Sequence, residues 1–221
     1  MIGKPRHGLS TVRSTKSDIW PTIHAERAAL AADLKGLDDY QWATASLCGG
    51  LSVREVLAHL TAAASLNPVQ WLAGVVRCRF DFDKQVVTRL REHLGSSPQQ
   101  TLAEFERVIG STTSPPLPKR AMLGEIIVHS EDIRQPLGIR RDYPLSTLSQ
   151  VAEYYRRTNQ VVVAKGRIGG LRLTATDGPF RTGTGDEVAG STIALIMSMT
   201  GRGVYCDQLT GRGVPMLRAR C

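Results

Sequence analysis

The chain has 221 residues, 42% of them hydrophobic and 22% charged, which is enough for one large domain or two small ones and fits a soluble globule. No apolar run is long enough to span a bilayer, so a membrane protein is not expected. Lys and Arg number 28 against 20 Asp and Glu, a formal charge of +8, which favours acidic partners. The basic residues fall in small scattered clusters (Arg77/Arg79, Arg89/Arg91, Arg140/Arg141, Arg156/Arg157) without the interleaved aromatics of a single-strand binder, so nucleic acid is not the expected partner.

The first residues, "MIGKPRHGLSTVRSTKSD", are basic but lack an apolar centre. They read as a flexible arm over 1–17 rather than a secretory signal, and the protein is taken as cytoplasmic. From Asp18 to about Leu37, Ile19, Ile23, Leu30, Leu34 and Leu37 recur at helical spacing. A loop through Cys48, Gly49 and Gly50 follows. In "LSVREVLAHLTAAA", Ser52 and Glu55 form a capping box, and Val53, Val56, Leu57 and Leu60 make the apolar face of the helix it opens.

Two more helices are expected, near Asp83–Leu94 and Thr101–Ile109, with "GSSPQQ" between them as a kink or short turn. "GSTTSPPLP" is a loop. Pro118 then stands near the start of a helix that Pro136-Leu137-Gly138 ends. Four main amphipathic helices with one long connection suggest a four-helix bundle over residues 18–138.

Residues 139–221 read as a small α+β unit packed on that bundle. A helix over "LSTLSQVAEYYRRTNQVVV" leads to a strand, "GLRLTATD", with Leu171 and Leu173 on one face, and "PFRTGTG" could pair with it as a hairpin. "GSTIALIMSMTGR" is a short buried helix. "GDEVAGS", Gly185 to Ser191, has the glycine spacing of a phosphate loop without its lysine, so a turn before a helix is expected there. Cys48, Cys78, Cys206 and Cys221 form no CxxC pair and are read as idle or buried thiols.

The chemistry concentrates in "GEIIVHSEDIRQPLG", Gly124 to Gly138. At about 100° per residue, Glu125 and His129 project within roughly 40° of each other, with Asp132 close to Glu125. Met122, Ile126 and Ile133 share the side of His129, and an ionised carboxylate there must pair or ligate. His59, beside Val56 and Ala63, should point inward from the capped helix and is the best third ligand. Two imidazoles and a carboxylate from two helices suit zinc or another divalent first-row ion, and three protein ligands leave one position open. Each piece also has a plainer reading. His59 alone could be a core histidine bonded to a carbonyl, and Glu125 with His129 alone could be a helix ion pair. Asp132 could itself ligate, or it would orient a ligating histidine or pair with Arg134 or a neighbouring helix. His7 and His93 look like surface residues. His24 could line the same cavity.

The stretches "ERAALAADLKGLDDYQWATASLCGGLSVREVLAHL" and "GEIIVHSEDIRQPLG" resemble the mycothiol-dependent maleylpyruvate isomerase group of the DinB-like superfamily. The tail, "GLRLTATD … GTGDEVAGSTIALIMSMTGR … LTGRGVPMLRAR", resembles that group's small sterol-carrier-like C-terminal domain. The resemblance implies a DinB-like bundle holding a divalent metal, usually zinc, by His59, Glu125 and His129. It also implies a low-molecular-weight thiol such as mycothiol as cosubstrate, and help from an arginine of the C-terminal domain, for which Arg202 in "MTGRG" is the candidate. Arg89 or Arg91 could supply a second cation. "CGGLS" stands where relatives show C-P-G-W-S, so Leu51 replaces an aromatic and would reshape the pocket mouth.

The expected function is a metal-dependent isomerase or S-transferase in which the bound thiol is turned toward thiolate and attacks an electrophilic, anionic small molecule. The alternative is a metal-stabilised binding or stress-response module without turnover. A monomer or a homodimer would fit either.

Overall fold

The computed structural model describes residues 18–77 and 81–221, with only the backbone of 82–84. The expected arm, Cys78 and Arg79 lie outside the described residues.

Five helices come first in the chain. They are α1 (Trp20–Leu34), α2 (Asp39–Ala43), α3 (Val53–Ser65), α4 (Pro68–Arg77) and α5 (Phe82–Glu92). Then come α6 (Pro98–Arg107) and α7 (Lys119–Arg134). The periodic stretches fold as expected, because their apolar faces meet: α1, α3, α6 and α7 pack on one another, and α5 lies on α3. Ile23, Leu30 and Leu34 of α1, Val53, Val56 and Leu57 of α3, Phe105 of α6 and Ile126 and Ile127 of α7 are buried in this core. The capping box is present, with the Ser52 side chain accepting from the Glu55 amide and the Glu55 carboxylate accepting from the Ser52 amide at 2.8 Å.

Three differences from the sequence reading are instructive. Residues 39–43 form a short helix, set by an Asp38–Gln41 capping box inside what reads as a loop. Residues 68–77 form α4, whose apolar residues Val69, Leu72 and Val76 are largely exposed. And α6 starts at Pro98 rather than Thr101, because Ser97 caps it and proline suits the first helical position.

Helix α8 (Leu145–Tyr155) packs on both α7 and the C-terminal part. It stops before "RRTNQVVV", where the sequence reading had extended it, and a single turn, α9 (Ala164–Arg167), follows. The sheet contains β1 (Leu171–Ala175), β2 (Arg181–Thr182) and β3 (Asp186–Gly190) in the order β2-β1-β3. β2 is antiparallel to β1, with Leu173 opposite Thr182, so the expected hairpin forms.

"GDEVAGS" is not a turn. It supplies β3, which runs parallel to β1 with Leu173 opposite Val188. The glycines leading into β3 serve a tight crossover: Gly183 and Gly185 have positive φ (76° and 116°), and a Cβ on either would lie 2.1 Å from a backbone carbonyl oxygen of residues 170–171. Ser191 then caps α10 (Thr192–Met199), the expected buried helix. A 3-10 turn (Gly203–Gln208) and α11 (Val214–Arg218) complete the α+β unit.

Because α1 and α3 cover one side of α7 while α8 covers another, α7 is buried almost all round. Polar residues on it are therefore enclosed, and each needs a partner.

Candidate metal centre

Helices α3 and α7 lie side by side, which brings His59 to Glu125 across 66 residues of chain. His59 Nε2 is 2.8 Å from Glu125 Oε1, and His129 Nε2 is 3.8 Å from the same oxygen. The two imidazoles meet edge to face with ring centroids 4.9 Å apart. Ligand atoms of His59, Glu125 and His129 all fall within 4.8 Å of one another. Their side chains retain 14–18% exposure, so the cluster is enclosed yet reachable. The trio expected from the sequence thus converges, and its donors match those a divalent first-row ion takes.

Behind His129 stands a second row. Asp132, fully buried, accepts from His129 Nδ1 at 2.8 Å. It also takes both arms of Arg202, from Nε at 2.9 Å and Nη2 at 2.6 Å. Arg202 Nη1 donates to the Thr200 carbonyl at 2.8 Å. The arginine of the C-terminal part therefore does reach the site, but through the carboxylate that orients a histidine. Arg134, the other partner considered for Asp132, pairs with Asp33 instead, at 2.7 Å.

The neighbour of Asp132, Glu131, points the other way and accepts from Tyr143 (2.8 Å) and from Tyr205 (2.6 Å). Glu131 and Asp132 thus bind Tyr205 and Arg202 respectively, and two consecutive residues of α7 latch the C-terminal part onto the bundle.

The charges are tightly interlocked. For His129, burial works against protonation, but the bond to Asp132, the nearby Cys48 thiol and Glu125 outweigh it and push the imidazole up to about 10. For Glu125, burial would raise the carboxyl, yet the His59 bond and the charges of His129, His59 and Arg202 hold it at about 2. Such a buried run of alternating charge, with donors open to solvent on one side, is the environment of a site rather than of a packed core.

Cys48, read as a buried or idle thiol, lies beside the cluster. The loop carrying it docks on α7 through the Leu47 amide to the Asp132 carbonyl at 3.1 Å. Its thiol consequently groups with His129 and Asp132. No spacing rule could reveal this, since Cys48 is far from both in sequence. Cys206 is buried, as read. His24 does not join the cluster: it bonds the Ser111 carbonyl at 3.1 Å and stacks on Trp20. Arg89 is tied to Glu92 and to the Gln70 carbonyl, and Leu51 packs half-buried against the core.

Comparison with known proteins agrees with this layout. The family model described as the mycothiol maleylpyruvate isomerase N-terminal domain matches residues 23–114, a span that contains His59 and stops short of α7. No curated protein matches the chain. Two solved structures are similar in fold: a crystal structure of the mycothiol-dependent maleylpyruvate isomerase (TM-score 0.56, 17% identity) and one of a histidine-to-alanine mutant (TM-score 0.57, 16% identity). Each alignment covers 87% of this chain and 91% of the other. Residues 23–114 are therefore similar to the N-terminal domain of that family, and over most of its length the chain has the fold of the solved isomerases.

Proposed function

We propose that this protein is a divalent-metal-dependent enzyme that uses a low-molecular-weight thiol, mycothiol in the first instance, to isomerise or conjugate a small electrophile. The observation that carries the reading is the convergence of His59, Glu125 and His129 within 4.8 Å, backed by an orienting carboxylate on His129. An ion held there, zinc by the chemistry of two imidazoles and a carboxylate, would supply a Lewis-acid position at which a thiol loses its proton.

The chain's own residues do the rest. Asp132 accepts from His129 Nδ1, so Nε2 is the nitrogen that faces Glu125 and would take the ion once its proton is lost. Arg202 clamps Asp132 in that pose and neutralises it. Arg202 and Asp132 are thus positioning residues, acting through His129 rather than on substrate. The bundle over 18–138 supplies the ligands, and the unit over 139–221, sterol-carrier-like in our reading, supplies the clamp. Both parts are needed for one site.

The test has two arms. Metal content after purification is compared for the wild type and for Glu125→Ala and His129→Ala, and a wild type that neither carries stoichiometric metal nor binds it on titration sinks the proposal. The metal-loaded protein is then incubated with mycothiol and a panel of electrophiles that includes maleylpyruvate and a chloro-nitroaromatic. Thiol-dependent product that disappears in His59→Ala supports the enzyme. Metal binding without turnover on any member identifies a binding module instead.

A further inference from the structure

The anionic electrophile expected for this chain needs a cation, and Arg202 is poorly placed to be it. Its Nε and Nη2 are bound to Asp132, and its Nη1 to the Thr200 carbonyl. A guanidinium whose fork already grips a buried carboxylate has little left for a second one.

A better-placed cationic surface lies beside α7. Between the start of α7 and the end of α8 is a cavity of about 310 Å³ lined by Arg120, Glu153, Tyr154, Arg157, Thr158 and Asn159, among others. Arg120 makes no ion pair or side-chain hydrogen bond among the described residues. Glu153, the acidic group in the lining, is already engaged by Arg156 at 2.8 Å and Arg157 at 3.0 Å. Asn159 uses its carbonyl on the Gly166 amide (2.9 Å), which leaves its NH2 as a donor. Tyr154 Oη is buried, with the Thr158 side chain beside it. The cavity is therefore rich in donors, and its single carboxylate is outnumbered by guanidiniums.

It shares α7 with the candidate metal ligands Glu125 and His129. Tyr155, the neighbour of Tyr154, packs its phenol on Gly124, so closely that a Cβ there would lie 2.6 Å from Oη. Gly124 immediately precedes Glu125. Burial raises the Tyr154 phenol, with the Thr158 side chain opposing the shift and the charge of Glu125 adding to it.

We infer that this cavity is a carboxylate subsite, in which Arg120 and Arg157, with Tyr154 and the Asn159 amide, hold the carboxylate of the electrophile. The inference rests on the proposed thiol chemistry for its biological ligand, but not for its test. Maleate is the dianionic probe and its neutral diamide the control, each titrated calorimetrically into the full-length, zinc-loaded protein. Wild type, Arg120→Ala, Arg157→Ala, the double variant and Arg157→Lys are compared.

The expected result is maleate binding that weakens roughly ten-fold or more in the double variant, is partly restored by Arg157→Lys, and is not seen with the diamide. Both arginines are exposed, so the variants fold, and circular dichroism checks this. Maleate binding that is absent in the wild type, unchanged in the double variant, or matched by the diamide overturns the subsite. Titration reads binding and not turnover. A failed electrophile panel with arginine-dependent maleate binding therefore rejects the enzyme reading alone, and the reverse pattern rejects the subsite alone.

Discussion

Replacing Asp132 with alanine should hurt the protein more than any other single change in the site, and the structure lets the cost be worked out. The carboxylate is fully buried and accepts three bonds, one from His129 at 2.8 Å and two from Arg202 at 2.9 and 2.6 Å. The Arg202 side chain keeps only 13% exposure, so the variant strands a guanidinium with little water to reach. Removing one partner of a buried pair in this way costs about 3–5 kcal/mol. Two effects soften the loss: Arg202 retains the Thr200 carbonyl, and His129 can shed the proton that Asp132 helped hold. The lower end, about 3 kcal/mol, is therefore expected near neutral pH.

Metal affinity should fall by about 10- to 100-fold as well, since the imidazole loses its orienting acceptor. Urea unfolding of the chelator-stripped protein and a zinc competition titration measure the two effects. Adding Arg202→Met should recover much of the stability, because an apolar side chain can replace a buried pair at little cost. A loss below about 1 kcal/mol with zinc affinity unchanged, or a double variant that merely sums the two singles, refutes the reasoning.

Further outcomes are expected. In metal-free protein His129 is raised from 6.5 to about 10, so its contribution to stability is complete below about 6.5 and is lost as pH rises through 10. Glu125 is lowered from 4.5 to about 2, so its contribution is present above about 4.5 and is lost as pH falls through 2. Zinc must displace the His129 proton, so affinity measured by chelator competition should climb with pH above neutrality, and a flat profile would count against His129 as a ligand. Gly124→Ala would drive a methyl into the buried Tyr155 ring, with contacts of 2.6–3.0 Å, and should lower stability by about 1–3 kcal/mol in chemical denaturation. An unchanged midpoint would mean the two helices sit further apart than described. Tyr205→Phe removes a 2.6 Å bond to a buried carboxylate and should cost about 1.5–3 kcal/mol, leaving the helical content of the circular dichroism spectrum intact.

Much of this protein is legible along the chain because helices advertise themselves locally. The Ser52–Glu55 capping box, the Pro118 start and the apolar spacing of α1, α3 and α7 rest on contacts within a turn or two, so sequence order carries them. Glu125 and His129 share a helix face for the same reason. His59 is foreseeable as inward-facing, although its meeting with Glu125 depends on two helices packing. The sheet is less legible: β3 looks like a turn because its strand character comes from pairing with β1, and its glycines respond to backbone atoms of residues 170–171. Helix α4 escapes notice because its apolar side is left largely exposed and obeys no core pattern.

What the sequence determined by itself was the main amphipathic helices, the α+β character and the three candidate ligands. These follow from backbone periodicity and the chemistry of single side chains. Only the tertiary structure decided the surroundings of those ligands. It joined Asp132 to Arg202 across 70 residues, turned Cys48 toward His129 through one loop amide, and tied Glu131 to Tyr205. Such partnerships have no spacing rule. They exist because α7 is buried on nearly every side, and an enclosed polar atom takes its partner from whatever element the fold brings against it.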